Sequence, residues 1–162
     1  MKKTVKEEKK ATPEMRLVVN KDNTITDRKS GLMIIQDPGL AWEQFQERMT
    51  FMESEKAIAE LNKNGYAGFK DWRLPTVEEI CGIIDRTKYN PCYDTAIFKG
   101  KFDDWYWSGD QCAWSKQPDG SYSAAWAVSS DGGSVFSLDK GLHFYVRPVR
   151  SCQCQFAPLP VR

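Results

Sequence analysis

Apolar positions along the chain fall into short runs separated by turn-forming residues, and the spacing changes along its length. Arg16-Leu17-Val18-Val19 is a short β-prone run, Lys21-Asp22-Asn23 supplies turn chemistry, and Thr24-Ile25-Thr26 resumes an extended segment. Residues 27–31 turn the chain again before Leu32-Met33-Ile34-Ile35, so two or three short strands open the fold. The spacing then becomes helical. Behind Thr50, the apolar residues Met52, Ala57, Ile58 and Leu61 recur at near-helical intervals. Thr50 and Glu53 have the spacing of a capping box, and Asn62-Lys63-Asn64-Gly65 is a stop signal. Thr76 and Glu79 repeat the box ahead of a stripe of Ile80, Ile83 and Ile84, with Cys81 beside it as a core thiol. An earlier helical stretch is expected over Trp42 to Met49.

From Arg86 to Asp104 no period persists, and a loop this long is functional or held down by its own aromatics. Alternation returns with Trp105-Tyr106-Trp107-Ser108. It continues through Tyr122 to Val128 after a Pro118-Asp119-Gly120 turn, and through Ser134 to Leu138 after Asp131-Gly132-Gly133. A last strand is expected over Phe144 to Arg150. Two helices, a long loop and an antiparallel meander make the fold class α+β. Residues 1–14, rich in Lys and Glu, read as a charged tail, residues 15–151 as one domain, and residues 152–162, with Pro158 and Pro160, as an extended tail.

Composition changes this picture in three places. Six Trp, six Tyr and eight Phe give a chain of 162 residues enough aromatic area to build a core from short elements. A net charge of +1 gives no broad electrostatic case for nucleic acid or an anionic membrane surface. No apolar run approaches the roughly 20 residues that cross a bilayer, so no membrane insertion is expected. The start of the chain has no apolar signal region, which points to the cytoplasm unless an export signal has been removed, in which case the cell surface or secretion is expected. Five Cys leave at least one thiol outside any intrachain disulfide pairing.

Six segments in order carry a family resemblance: DNTITDRKSGLM from Asp22, GYAGFKDWRLPTVEEICGIID from Gly65, YDTAIF from Tyr93, Tyr106-Trp107-Ser108, AWAVSSDGGSV from Ala125, and YVRPVR from Tyr145. Together they resemble the C-terminal domain of Legionella collagen-like protein over roughly residues 20–151. The resemblance implies a C-type-lectin-like fold, related to formylglycine-generating enzymes and to the variable binding proteins of diversity-generating retroelements. The family's namesake is an adhesin that resembles binders of sulfated polysaccharides, so an adhesive or lectin-like role is what the resemblance implies. Ile34 stands where the family usually has Trp, which keeps an apolar residue in place.

Candidate chemistry is sparse. Trp72, Arg73, Pro75, Trp107, Trp126 and Arg147 coincide with the resembling segments and are expected to be structural, the arginines pinning loops through their fixed forks of donors. Arg147 and Arg150 sit on opposite sides of an extended strand, so one faces inward and the other lies at the rim. Formylglycine-generating enzymes bind copper through paired cysteines just before the closing strand, but residues 134–145 here contain no Cys. Cys152-Gln153-Cys154 would need further ligands such as Cys92, Cys112 or His143, so no metal or other cofactor is assigned. Neither the Glu-Pro-Asn nor the Trp-Asn-Asp stretch of calcium-dependent lectins occurs, and Asp103, Asp104 and Asp110 fit no known calcium loop. No catalytic residue is assigned.

The remaining aromatics suggest a binding face around Trp105, Trp114, Tyr122 and His143, with Asp110, Gln117 and Lys140 as its polar rim. The expected function is non-catalytic recognition of a polysaccharide or a protein surface. An enzyme or accessory factor on the same scaffold, and a module for homo-oligomerisation, stand as alternatives.

Overall fold

Two antiparallel sheets and the segment that joins them organise residues 15–152, the part of the chain described by this computed structural model. The expected tail 1–14, and all of the expected tail 152–162 but Cys152, lie outside the described residues. In the first sheet, strands β1 (Leu17–Val19), β2 (Thr24–Asp27), β3 (Leu32–Ile35) and β7 (Val149–Ser151) lie side by side in that order. The second is the expected meander of β4 (Trp105–Gln111), β5 (Ala124–Ser129) and β6 (Val135–Asp139).

The expected closing strand is corrected. Phe144 and Tyr145 make only single bridges, to Met49 and to Tyr106, and the chain then leaves the second sheet to pair as β7 with β3. Pro148 stands at the crossing. It has no N–H to give a ladder, and its carbonyl accepts instead from Ile35 N at 3.2 Å.

The helices start where their caps dictate. In α2 (Phe51–Asn64), Thr50 N donates to Glu53 Oε2 at 2.8 Å and Glu53 N donates back to Thr50 Oγ1 at 3.2 Å. Gly65, left-handed at φ 71°, ends the helix with its N–H on the Leu61 and Asn62 carbonyls. The buried stripe is Phe51, Ser54, Ala57, Ile58 and Leu61. Met52, one position off that stripe, is exposed, which corrects its expected core role. The box Thr76/Glu79 opens α3 (Val77–Ile83), where Ile80 and Ile83 are buried and Cys81 is only half-buried, which corrects its expected place in the core. The helical stretch expected over residues 42–49 is a 3-10 turn over Glu43–Gln46, with a short helix α1 (Pro38–Ala41) ahead of it. Asp37 caps α1 through Gly39 N, and Pro38 opens it with a preset φ.

Two apolar clusters result. One fills the space between α2 and the second sheet, with Phe51, Leu61, Trp72, Trp107, Ala127 and Phe144 among its members. Trp107 is fully buried, meets Phe51 edge-on at 5.7 Å and donates its indole N–H to the Met49 carbonyl. The other joins the first sheet to α3 and the long loop through Ile25, Ile34, Ile83, Cys92, Tyr93 and Phe98. The loop is held down by its own aromatics, since Tyr93 contacts both Phe98 and Phe102.

Candidate ligand-binding face

The site rests on a frame held by three arginines. Arg147 is 2% exposed, and its guanidinium donates to the carbonyls of Ile35, Gln36 and Lys99 at 2.9, 2.6 and 2.7 Å. The rings of Tyr93, Phe98, Phe102 and Tyr106 surround it at 5.5–5.9 Å. Carbonyl dipoles and π faces thus stand in for a carboxylate, a use that suits the planar, weakly hydrated guanidinium. Arg150, on the other side, is half-buried, pairs with Asp71 and lies 3.7 Å over the Phe69 ring.

Arg73 grips both oxygens of Glu79 at 2.7 and 2.9 Å and reaches Ser151 Oγ, tying α3 to β7. Burial works against ionisation of Glu79, but Arg73 and the Thr76 amide outweigh it and hold the carboxyl below its ordinary range. Trp72 is buried and exchanges two backbone bonds with the Asn62 side chain, and Pro75 is buried with its carbonyl on Gly109 N.

The seven residues expected at the face divide into several places. Trp105, half-buried, meets Phe136 edge-on at 5.7 Å and Phe144 at 6.4 Å. His143 is exposed, immediately before Phe144, and stands close enough to Glu53 to favour its ionised form. Lys140 donates to Gln111 Oε1 and lies 4.6 Å over Phe51. These three groups belong to the side of the second sheet that meets α2. Asp110 does not join them. It accepts from Val77 N at 2.8 Å, the first amide of α3, and borders a hollow with Trp126 on the α3 side. Trp114, on the 3-10 turn Ala113–Ser115, is 75% exposed and makes no ring contact among the described residues. Gln117 bonds the Ser115 carbonyl within its own turn, and Tyr122 is half-buried in a single bridge to Lys116.

Phe136 was missed by the sequence reading. It is 57% exposed on the edge strand of the second sheet, and its signal was the alternation Val135-Phe136-Ser137-Leu138, in which one large ring points away from Val135 and Ser137. Beside Trp105, a notch of about 220 Å³ opens between the long loop and β5, lined by Tyr89, Asn90, Phe102, Asp103, Asp104, Ser129 and Asp131. Its carboxylates are engaged. Asp104 pairs with Arg48 at 2.7 Å, and Asp131 accepts from the Ser129 hydroxyl and from Gly132 N. Burial, with Asp103 adding to it, pushes the Tyr145 hydroxyl up to about 12 and keeps it neutral. Among the described residues, no three His, Cys, Asp or Glu side chains are arranged to hold a metal ion, and no helix is long and apolar enough to cross a membrane.

The arrangement can therefore hold a ring-shaped or apolar group against Phe136 and Trp105 and hydrogen-bond it from the notch. In comparisons with known proteins, the family model of the Lcl C-terminal domain matches residues 23–150. No curated protein matches the chain.

Proposed function

The chain belongs to the Lcl C-terminal domain family, and on that basis we propose that it is a non-catalytic recognition domain of C-type-lectin-like fold that binds a polysaccharide. Its recognition unit would span residues 15–151. The observation that carries this reading is the Phe136–Trp105 pair, an exposed ring braced by a half-buried one at the lip of a polar notch. Sugars offer apolar C–H faces to such rings and hydroxyls to carboxylates and amides. Asp103, Asp104 and Asp131 line the notch, with Arg48 the cation paired there, so like-charge repulsion favours a neutral or amino sugar over a sulfated one. The thiol chemistry of the enzyme alternative has weak support, because burial pushes the Cys92 thiol up and away from its reactive form.

The test is a glycan array with the purified chain, followed by titration of the best ligand against Phe136→Ala and Trp114→Ala. Phe136→Ala is expected to weaken binding by about tenfold, the cost of one aromatic anchor, with an unchanged melt. A loss confined to Trp114→Ala would move the site to the 3-10 turn. An array without selective binding would overturn the polysaccharide reading.

A further inference from the structure

A second surface lies apart from the Phe136–Trp105 face. Between the 3-10 turn over Glu43–Gln46 and α2 runs an open groove of about 650 Å³, with buried Met49 and Ala57 as its floor and Glu47, Glu53 and Glu60 on its rim. Residues 53, 57 and 60 occupy one side of α2 at helical intervals, so the groove follows that helix for two turns, about 10 Å.

Two of the groove's charges are already engaged. Glu53 is held by its bond from Thr50 N, and Arg48 is neutralised by Asp104 at 2.7 Å. Lys56 is then the one unpaired cation among the groove's lining residues against three glutamates, with Lys63 in a loose 3.9 Å pair with Glu60 and His143 near Glu53 just outside it. An apolar floor under an acidic rim complements a basic amphipathic helix, which lays its apolar stripe in the groove and its cations over the rim. We infer that this groove docks a lysine- or arginine-rich amphipathic helix of a partner protein, with cations about two turns apart to meet Glu53 and Glu60. The inference does not depend on the polysaccharide reading.

The experiment titrates the full chain, by calorimetry, with a synthetic amphipathic peptide of about 14 residues, long enough for four helical turns, with Leu on one face and Lys on the other. The same peptide with Glu in place of Lys serves as its control. The Lys peptide is expected to bind and to weaken as salt rises, and the Glu peptide is expected not to bind. The double substitution E47Q/E60Q should weaken the Lys peptide by about tenfold, with Phe136→Ala leaving it unchanged. Both glutamates are exposed, and Glu60 makes only a 3.9 Å surface pair with Lys63, so the double variant should melt like the parent. Equal binding of the two peptides, or no effect of E47Q/E60Q, would overturn the proposal. So would a dimer of the chain alone that E47Q/E60Q dissociates, since the occupant would then be a second copy.

Discussion

Replacing Asp27 by Asn removes the anchor that ties Arg16, just ahead of β1, to β2. The Asp27 side chain is 1% exposed and accepts from Arg16 Nε and Nη2 at 2.9 and 2.7 Å, from Lys29 N at 3.0 Å and from Ser30 Oγ at 2.8 Å. Burial alone would raise this carboxyl, but the donors outweigh burial and hold it down to about 2. Its unfolded value is about 3.9, so the folded state has the lower one, and the stabilisation is complete above about pH 4 and lost as pH falls towards 2. A difference of nearly two pH units corresponds to roughly 2.5 kcal/mol, and the partial exposure of Arg16 trims this to about 2 kcal/mol through solvent screening.

Urea unfolding of the parent and of Asp27→Asn at pH 7, 4, 3 and 2 checks the reasoning. The variant should be less stable by about 2 kcal/mol at pH 7, and the two should converge as pH approaches 2, because the parent alone loses this increment. A constant gap across that range would refute the assignment of the stabilisation to ionised Asp27.

Three further outcomes follow from the frame. Arg147→Lys keeps a charge but cannot reach three carbonyls at once. It should cost about 3 kcal/mol in chemical unfolding, and a loss below about 1 kcal/mol would show that the carbonyl bonds contribute little. Thr76→Ala removes one half of the capping box of α3 and should cost about 1 kcal/mol in the same assay, with Thr76→Ser restoring most of it. The Cys92 thiol, fully buried, should resist a thiol reagent at pH 8 until denaturant is added, which mass mapping of the labelled residues can follow; labelling as fast as in denaturant would refute the burial.

How much was legible in the sequence depends on how local each determinant is. The starts of α2 and α3 could be read to the residue, because Thr50/Glu53 and Thr76/Glu79 complete their bonds within one turn. The start of α1 was equally local, in Asp37-Pro38, and was missed because the apolar residues from Trp42 onward drew the helix too late. The path of residues 144–151 was not legible. Whether a strand there extends the meander or crosses to β3 depends on contacts with Met49, Arg73 and Ile34, far away in sequence. The candidate face suffered for the same reason. Neighbours along β4 take opposite sides of the sheet, and the pairing of Asp110 with Val77 N is a tertiary fact that no spacing announces.

The cage around Arg147 also bears on how the chain is made. A ribosome delivers residues 35, 36 and 99 well before residue 147, so each carbonyl that the guanidinium will bind, and the edge of β3 that β7 will cover, must wait until residues 147–151 have been made. Until then β3 has a bare edge and the aromatic ring cluster has no cation. The nascent domain is therefore expected to stay open, and a chaperone client, until β7 emerges.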